Sequence, residues 1–136
     1  MNEKDHKKLQ LLGKKIIGKE KSVYRRFYRG FEYWIIRPDT NPIFFHLCGY
    51  VVIDKESQYY ISDNYNDYDI NCHGGLTFAD PLPQFSIEFA IGFDCGHLGD
   101  LSNSFQIEDG KDHNKEYRNV DYVDQECKRI INQLMK

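Results

Sequence analysis

Apolar and polar positions along this chain follow two periods, and the periods predict helices at both ends with strands between them. Leu9, Leu12 and Ile16 keep helical spacing, and Leu11 and Ile17 widen the stripe, so residues 3–17 read as a helix. Gly18 suits its C-terminal cap, whereas Gly13 is a poor helix former within it. Val120, Val123, Cys127, Ile130, Ile131 and Leu134 line one face of a second helix, which Asn119 can cap. Asp121 and Asp124 lie toward its start and Lys128, Arg129 and Lys136 toward its end, as the helix dipole favours.

Between the helices the pattern turns to strands. Residues 23–37 are aromatic and β-branched and predict one bent strand or two short ones around Gly30. Pro38 to Pro42 is a turn. Ile43 to Ile53 is almost continuously apolar and reads as a strand buried on both faces, with Phe44, His46, Cys48, Tyr50 and Val52 sharing one of them. A short strand is expected over 76–79, a turn at Asp80-Pro81-Leu82-Pro83, and a half-buried antiparallel partner over 85–93. In that partner Phe85, Ile87, Phe89, Ile91 and Phe93 face one way. Residues 100–116 read as loop, with a short strand near Phe105-Gln106-Ile107. The chain is thus expected to be α+β: a small, mostly antiparallel sheet packed by an N-terminal and a C-terminal helix. Its 136 residues suffice for a single domain over 1–136.

Charge changes this picture at one end. Residues 1–30 hold ten Lys/Arg against three acids, while the remainder carries a balance of −10. The segment 1–22 is therefore either a solvated basic helix appended to the body or an arm for phosphate-bearing partners. The acidic remainder argues against an extended nucleic-acid surface. No apolar run approaches the roughly 20 residues that span a bilayer, so no membrane association is expected. Cys48, Cys72, Cys95 and Cys127 are sparse and mostly in apolar settings, which predicts free thiols and a cytoplasmic location.

Chemistry-bearing residues collect in two glycine-rich segments, Cys72-His73-Gly74-Gly75 and Asp94-Cys95-Gly96-His97-Leu98-Gly99-Asp100. A His followed by two Gly can present backbone N–H groups to an anion, or it can be a tight turn. Asp94, His97 and Asp100 are the candidate catalytic groups, as general base, acid or metal ligands. His73, Asp94, His97 and Asp100 are acceptable metal ligands by type, but no established ligand spacing is present. Cys95 reads as core, and so does His46. Asp63, Asp67 and Asp69 lack the pattern of a calcium loop, and His6 and His113 carry no signal. Tyr59, Tyr60, Tyr65 and Tyr68 suit either base stacking or packing over the sheet.

The strings His46-Leu47-Cys48-Gly49-Tyr50-Val51, Asp67-Tyr68-Asp69, His73-Gly74-Gly75-Leu76-Thr77, Ile91 to Asp100, Tyr117-Arg118 and Tyr122-Val123 with Glu126-Cys127 resemble a family of small phage, prophage and bacterial proteins with no assigned activity. The resemblance covers roughly residues 43 to 134. This chain departs from the family pattern at Gly96, where Ala is usual, and over 54–66, where a Pro/His-containing loop is usual. The basic N-terminal segment lies outside the resemblance.

On these grounds the expected function is binding of a small anionic, nucleotide-like ligand by His73, Gly74, Gly75, Thr77, His97 and Arg118. The alternatives are a metal-dependent hydrolase and a module that binds a host protein. A phage setting favours sequestering a host signal or blocking a host protein.

Overall fold

The computed structural model describes residues 2–39, 41–108 and 114–136. The expectation for His113 lies outside these residues. The first helix, α1 (Glu3–Ile17), begins where the Asn2 side chain accepts from the Asp5 N–H, and it ends at Gly18, whose N–H donates to the Lys14 carbonyl. Strands β1 (Val23–Tyr28) and β2 (Phe31–Ile36) form a hairpin, so the aromatic stretch is two strands. Its two-residue turn holds Arg29 at φ 50° and Gly30 at φ 85°. Left-handed values at both positions match the twist of a tight hairpin.

Strand β3 (Cys48–Val52) pairs with β2, and the last strand pair, β4 (Phe78–Leu82) and β5 (Ile87–Asp94), completes one antiparallel sheet of order β1-β2-β3-β5-β4. A five-residue helix α2 (Ser104–Glu108) follows, then α3 (Val120–Leu134), capped by Asn119 accepting from the Tyr122 N–H. The α+β class and both terminal helices are as the pattern predicts. Among the described residues, α3 packs on β2 and β3, and α1 packs chiefly on α2.

Several local expectations are corrected. Residues 43–47 are not strand; only Phe44 makes an isolated bridge, to Asn103. Nor is 43–53 buried on both faces. Ile43, Phe45, Leu47, Val51 and Ile53 are in the core, whereas Phe44 is exposed and His46, Tyr50 and Val52 are half-buried. Asp80-Pro81-Leu82 is strand rather than turn; the chain reverses instead through a 3₁₀ turn over Pro83–Phe85, with Ser86 left-handed. Pro81 is tolerated because β4 is an edge strand, and the register slips between Asp80 and Leu82. Phe85 therefore leaves the row of Phe89, Ile91 and Phe93 and packs on Trp34 across the other face, with ring centroids 5.0 Å apart. The strand expected near Phe105 is α2.

The core lies between α3 and one face of the sheet. Tyr33, Ile35, Val51, Phe89, Ile91 and Phe93 meet Val123, Cys127, Ile130 and Ile131 there. The tyrosine-rich loop packs over the same core: Tyr59 sits edge-on to Phe31 at 5.0 Å and Tyr60 edge-on to Phe89 at 5.2 Å. One polar group enters this layer. Asp124 accepts from Tyr33 Oη at 2.6 Å and Arg26 Nη1 at 2.9 Å, which ties α3 to the first hairpin.

Candidate functional site

The two glycine-rich segments do meet. Residues 94–100 leave β5 and residues 71–77 lead into β4, its antiparallel neighbour, so the strand pairing brings both loops to one end of the sheet, beside the start of α3. His73 stands between them. Its Nε2 is 2.8 Å from Asp100 Oδ2 and its Nδ1 is 2.8 Å from Tyr122 Oη, while its backbone N–H donates to Glu126 Oε1 at 2.7 Å. Asp100 also accepts from Arg118 Nε at 2.9 Å and from the His97 N–H at 3.0 Å. Arg118 in turn reaches Glu116 Oε2 at 2.9 Å and lies 4.9 Å over the Tyr122 ring.

This network is closed on itself. Asp100 is 1 % exposed, and both its oxygens and both His73 ring nitrogens are taken. Burial pushes the Asp100 carboxyl up, but the hydrogen bonds from His73, Arg118 and the His97 N–H outweigh it and hold the group below the ordinary Asp value. Through these contacts His73, Asp100, Arg118 and Tyr122 fasten two loops to a helix. Two of the main-chain N–H groups of the expected anion cradle are engaged from within. The Gly75 N–H donates to the Cys72 carbonyl at 2.9 Å, closing a turn, and the His73 N–H is held by Glu126. Arg118 is paired with Asp100 and Glu116, and Glu126 with Arg129.

The remaining candidates face outward. His97 Nε2 is 3.4 Å from Asp94 Oδ1, and both side chains are about one-third exposed. Asp94 also accepts from the Gly96 N–H at 3.0 Å and from Thr77 Oγ1 at 3.3 Å. The His97 ring lies against Gly74, whose φ is +67°; a Cβ there would stand 2.5 Å from Nε2, so the approach requires glycine. At Gly96, by contrast, a Cβ would meet Asp94 Oδ1 at 3.4 Å and the His46 ring at 3.7 Å, which is ordinary contact, so an Ala would fit there. His46 is half-buried beside this pair rather than in the core, and burial lowers its pKa. Among the described residues no three His, Cys, Asp or Glu side chains are placed to hold a metal ion. The four thiols are unpaired and buried; burial pushes Cys72 up to about 11 and Cys48 up to about 12, which leaves them as thiols.

The structure exposes a surface that the motifs do not mark. α3 covers one face of the sheet, and the opposite face carries its own smaller cluster. Leu82, Ile87 and Ala90 are buried there under Trp34, Tyr50, Val52, Phe78 and Phe85, which remain half-buried. Registration places Arg25, Trp34, Tyr50, Gly92 and Phe78 in one row across all five strands. Tyr50 and Phe78 meet edge-on at 5.1 Å over Gly92, where a Cβ would stand 2.6 Å from the Tyr50 ring. At the β1 end Phe27 is 65 % exposed, and Arg25 lies over both the Phe27 and Trp34 rings. A shallow groove of about 590 Å³ runs along this face past Arg25, Glu32, Trp34, Val52, Phe85 and Glu88. Asp94 lies on this same face at its far end, because it alternates with Gly92 and Ala90 along β5. The available signal is the period-two placement of Phe27, Trp34, Tyr50, Val52 and Phe78, which needs strand register to become a surface. No family model, curated protein or solved structure matches this chain.

Proposed function

We propose that this chain is a binding module that recognises another polypeptide through the helix-free face of its sheet. The observation that carries the reading is the aromatic row Trp34–Tyr50–Phe78, with Phe27 beside it, which no element among the described residues covers, whereas the other face is packed by α3. A contiguous aromatic surface of this kind, half-buried along its length and exposed at Phe27, is characteristic of interaction sites. The face is broad and its groove shallow, which suits a polypeptide better than a small molecule. The resemblance to phage-type proteins supports a host protein as the partner. Four unpaired cysteines support a cytoplasmic setting, and no helix of the described residues is long and apolar enough to cross a membrane.

Photo-crosslinking tests this. A photoreactive residue is placed at Phe27 or Trp34, and in control chains at Leu11 or Asp121. A discrete protein adduct from the first pair only, lost when Tyr50→Asp is added, supports the reading. Equal adducts from all four positions, or none, would overturn it.

A second reading keeps a small ligand, at the polar end of the same face. It is favoured by Thr77, Asp94 and His97 standing together at the surface, with His97 Nε2 buried and without a hydrogen-bond partner. Thermal-shift measurements with nucleotides, cyclic dinucleotides and ADP-ribose test it. Unchanged melting with all three classes removes the nucleotide-like ligand.

A further inference from the structure

The two edges of the sheet are treated differently. β4 carries Pro81 and a register slip, two devices that discourage another strand from pairing with it. β1 has neither. It is six residues long, regularly paired over its whole length with β2, and its other side pairs with no strand among the described residues.

The hairpin fixes which main-chain groups look outward. Tyr28 pairs with Phe31 across the two-residue turn, and the Arg37 N–H donates to the Ser22 carbonyl at 2.8 Å at the far end. Alternation therefore turns Tyr24, Arg26 and Tyr28 toward β2, and turns the N–H and C=O of Val23, Arg25 and Phe27 away from it. All three residues are exposed, and their main-chain groups make no hydrogen bond on the outer side among the described residues. Their side chains lie on the helix-free face. A strand added here would thus extend the ladder and the aromatic face together.

Charge selects the strand. Arg25, Arg26 and Arg29 lie on this hairpin, and Lys19 and Lys21 lie in the segment that leads into it. Arg25 and Arg26 are paired with Glu32 and Asp124, but no described carboxylate stands within ion-pair distance of Lys19, Lys21 or Arg29. A second copy of the chain paired edge to edge would set this cluster against itself, and facing like charges destabilise a strand pair.

We infer that the β1 edge accepts an extended acidic segment of a partner polypeptide by strand addition. The segment reads apolar, acidic, apolar at every second residue, opposite Val23, Arg25 and Phe27, with further acids facing Arg26. This inference rests on the reading of the helix-free face as the binding surface and names the pairing mode and the partner's chemistry.

The probe is acetyl-Thr-Val-Glu-Glu-Glu-Val-Thr-amide, a palindrome that presents the pattern in either direction, added to the ¹⁵N-labelled full chain. Amide exchange at Val23, Arg25 and Phe27 is expected to slow, while Tyr24 and Arg26, already bonded to β2, stay unchanged. A Lys-for-Glu peptide is expected to bind at least about tenfold more weakly. N-methylation of the two Val and the central Glu of the probe is expected to abolish binding without touching the protein. Val23→Pro, which removes an outward N–H at the first strand position, is expected to do the same. Equal binding of the Lys peptide overturns the charge assignment, and full binding of the methylated peptide overturns strand addition. Shifts confined to Trp34, Tyr50 and Phe78 also overturn strand addition while leaving the helix-free face as the binding surface. Slow exchange at Val23, Arg25 and Phe27 in a peptide-free dimer would assign the edge to self-association instead.

Discussion

His73 Nε2 and Asp100 Oδ2 stand 2.8 Å apart, and this contact joins the segment before β4 to the segment after β5. Asp100 is buried and held by three donors, so its loss leaves Arg118 and His73 without their shared acceptor. Asp100→Ala is expected to destabilise the chain by about 3 kcal/mol, since removing one member of a buried charged network strands the others. Urea denaturation measures this.

The same network sets an acid limit. Asp100 and Asp124 are both held below their ordinary values: burial opposes ionisation in each, and hydrogen bonds outweigh it, from His73 and Arg118 in one and from Tyr33, Arg26 and Lys128 in the other. A carboxyl whose folded pKa is depressed contributes its stability above the unfolded value of about 3.9 and loses it as pH falls through the folded value. Stability is expected to be flat from neutral pH to about pH 5 with respect to these groups and to fall below about pH 4. Asp100→Asn should flatten part of that fall. Denaturation midpoints across pH 2 to 7, at about one-unit steps, check it.

Gly13 sits in α1 with its backbone against the next segment; a Cβ there would lie 1.5 Å from the Pro42 carbonyl oxygen. Gly13→Ala raises helix propensity by about 1 kcal/mol yet is expected to destabilise the native chain by about 1–3 kcal/mol, because the helix must move off Pro42. Circular dichroism should show the helix content retained while the melting temperature falls.

Phe27 separates binding from stability. Its ring is exposed and packs mainly under the Arg25 guanidinium. Phe27→Ser is expected to change unfolding free energy by no more than about 0.5–1 kcal/mol, yet to weaken capture of the strand peptide. Paired denaturation and titration experiments on one preparation distinguish the two effects.

The thiols supply a check on packing. All four are buried, and burial holds Cys72 and Cys48 as thiols near neutral pH. At pH 8, iodoacetamide is expected to label the native chain slowly and all four positions rapidly in denaturant.

Helical periodicity places both long helices well, since Leu9, Val123, Ile130 and Ile131 face the interior at the spacing the pattern demands. Strand limits are harder. Pro81 reads as a turn unless the strand is known to be an edge, and edge status is a property of the whole sheet. Phe105-Gln106-Ile107 is too short to show a period, so helix and strand are indistinguishable there. The meeting of His73 with Asp100 is legible as a collection of residue types, but their mutual satisfaction is not, because Tyr122, Glu126 and Arg118 arrive from α3 and the segment before it. Gly13 looks like a weakness in a helix and is a crossing point of two backbones.

Glu20 has a reach out of proportion to its place in the chain. One oxygen accepts from Tyr117 Oη at 2.5 Å and Arg37 Nη2 at 3.2 Å, and the other accepts from the Val120 N–H at 2.8 Å, the first turn of α3. The residue that receives the final helix is therefore made a hundred positions before it. During translation the sheet leaves the ribosome before the helix that covers it, and the side that α3 packs on lacks that cover until Val120–Leu134 emerges and docks. A nascent chain stalled with the sheet outside the ribosome and α3 still within it should be sticky and chaperone-seeking, and emergence of α3 should end that state.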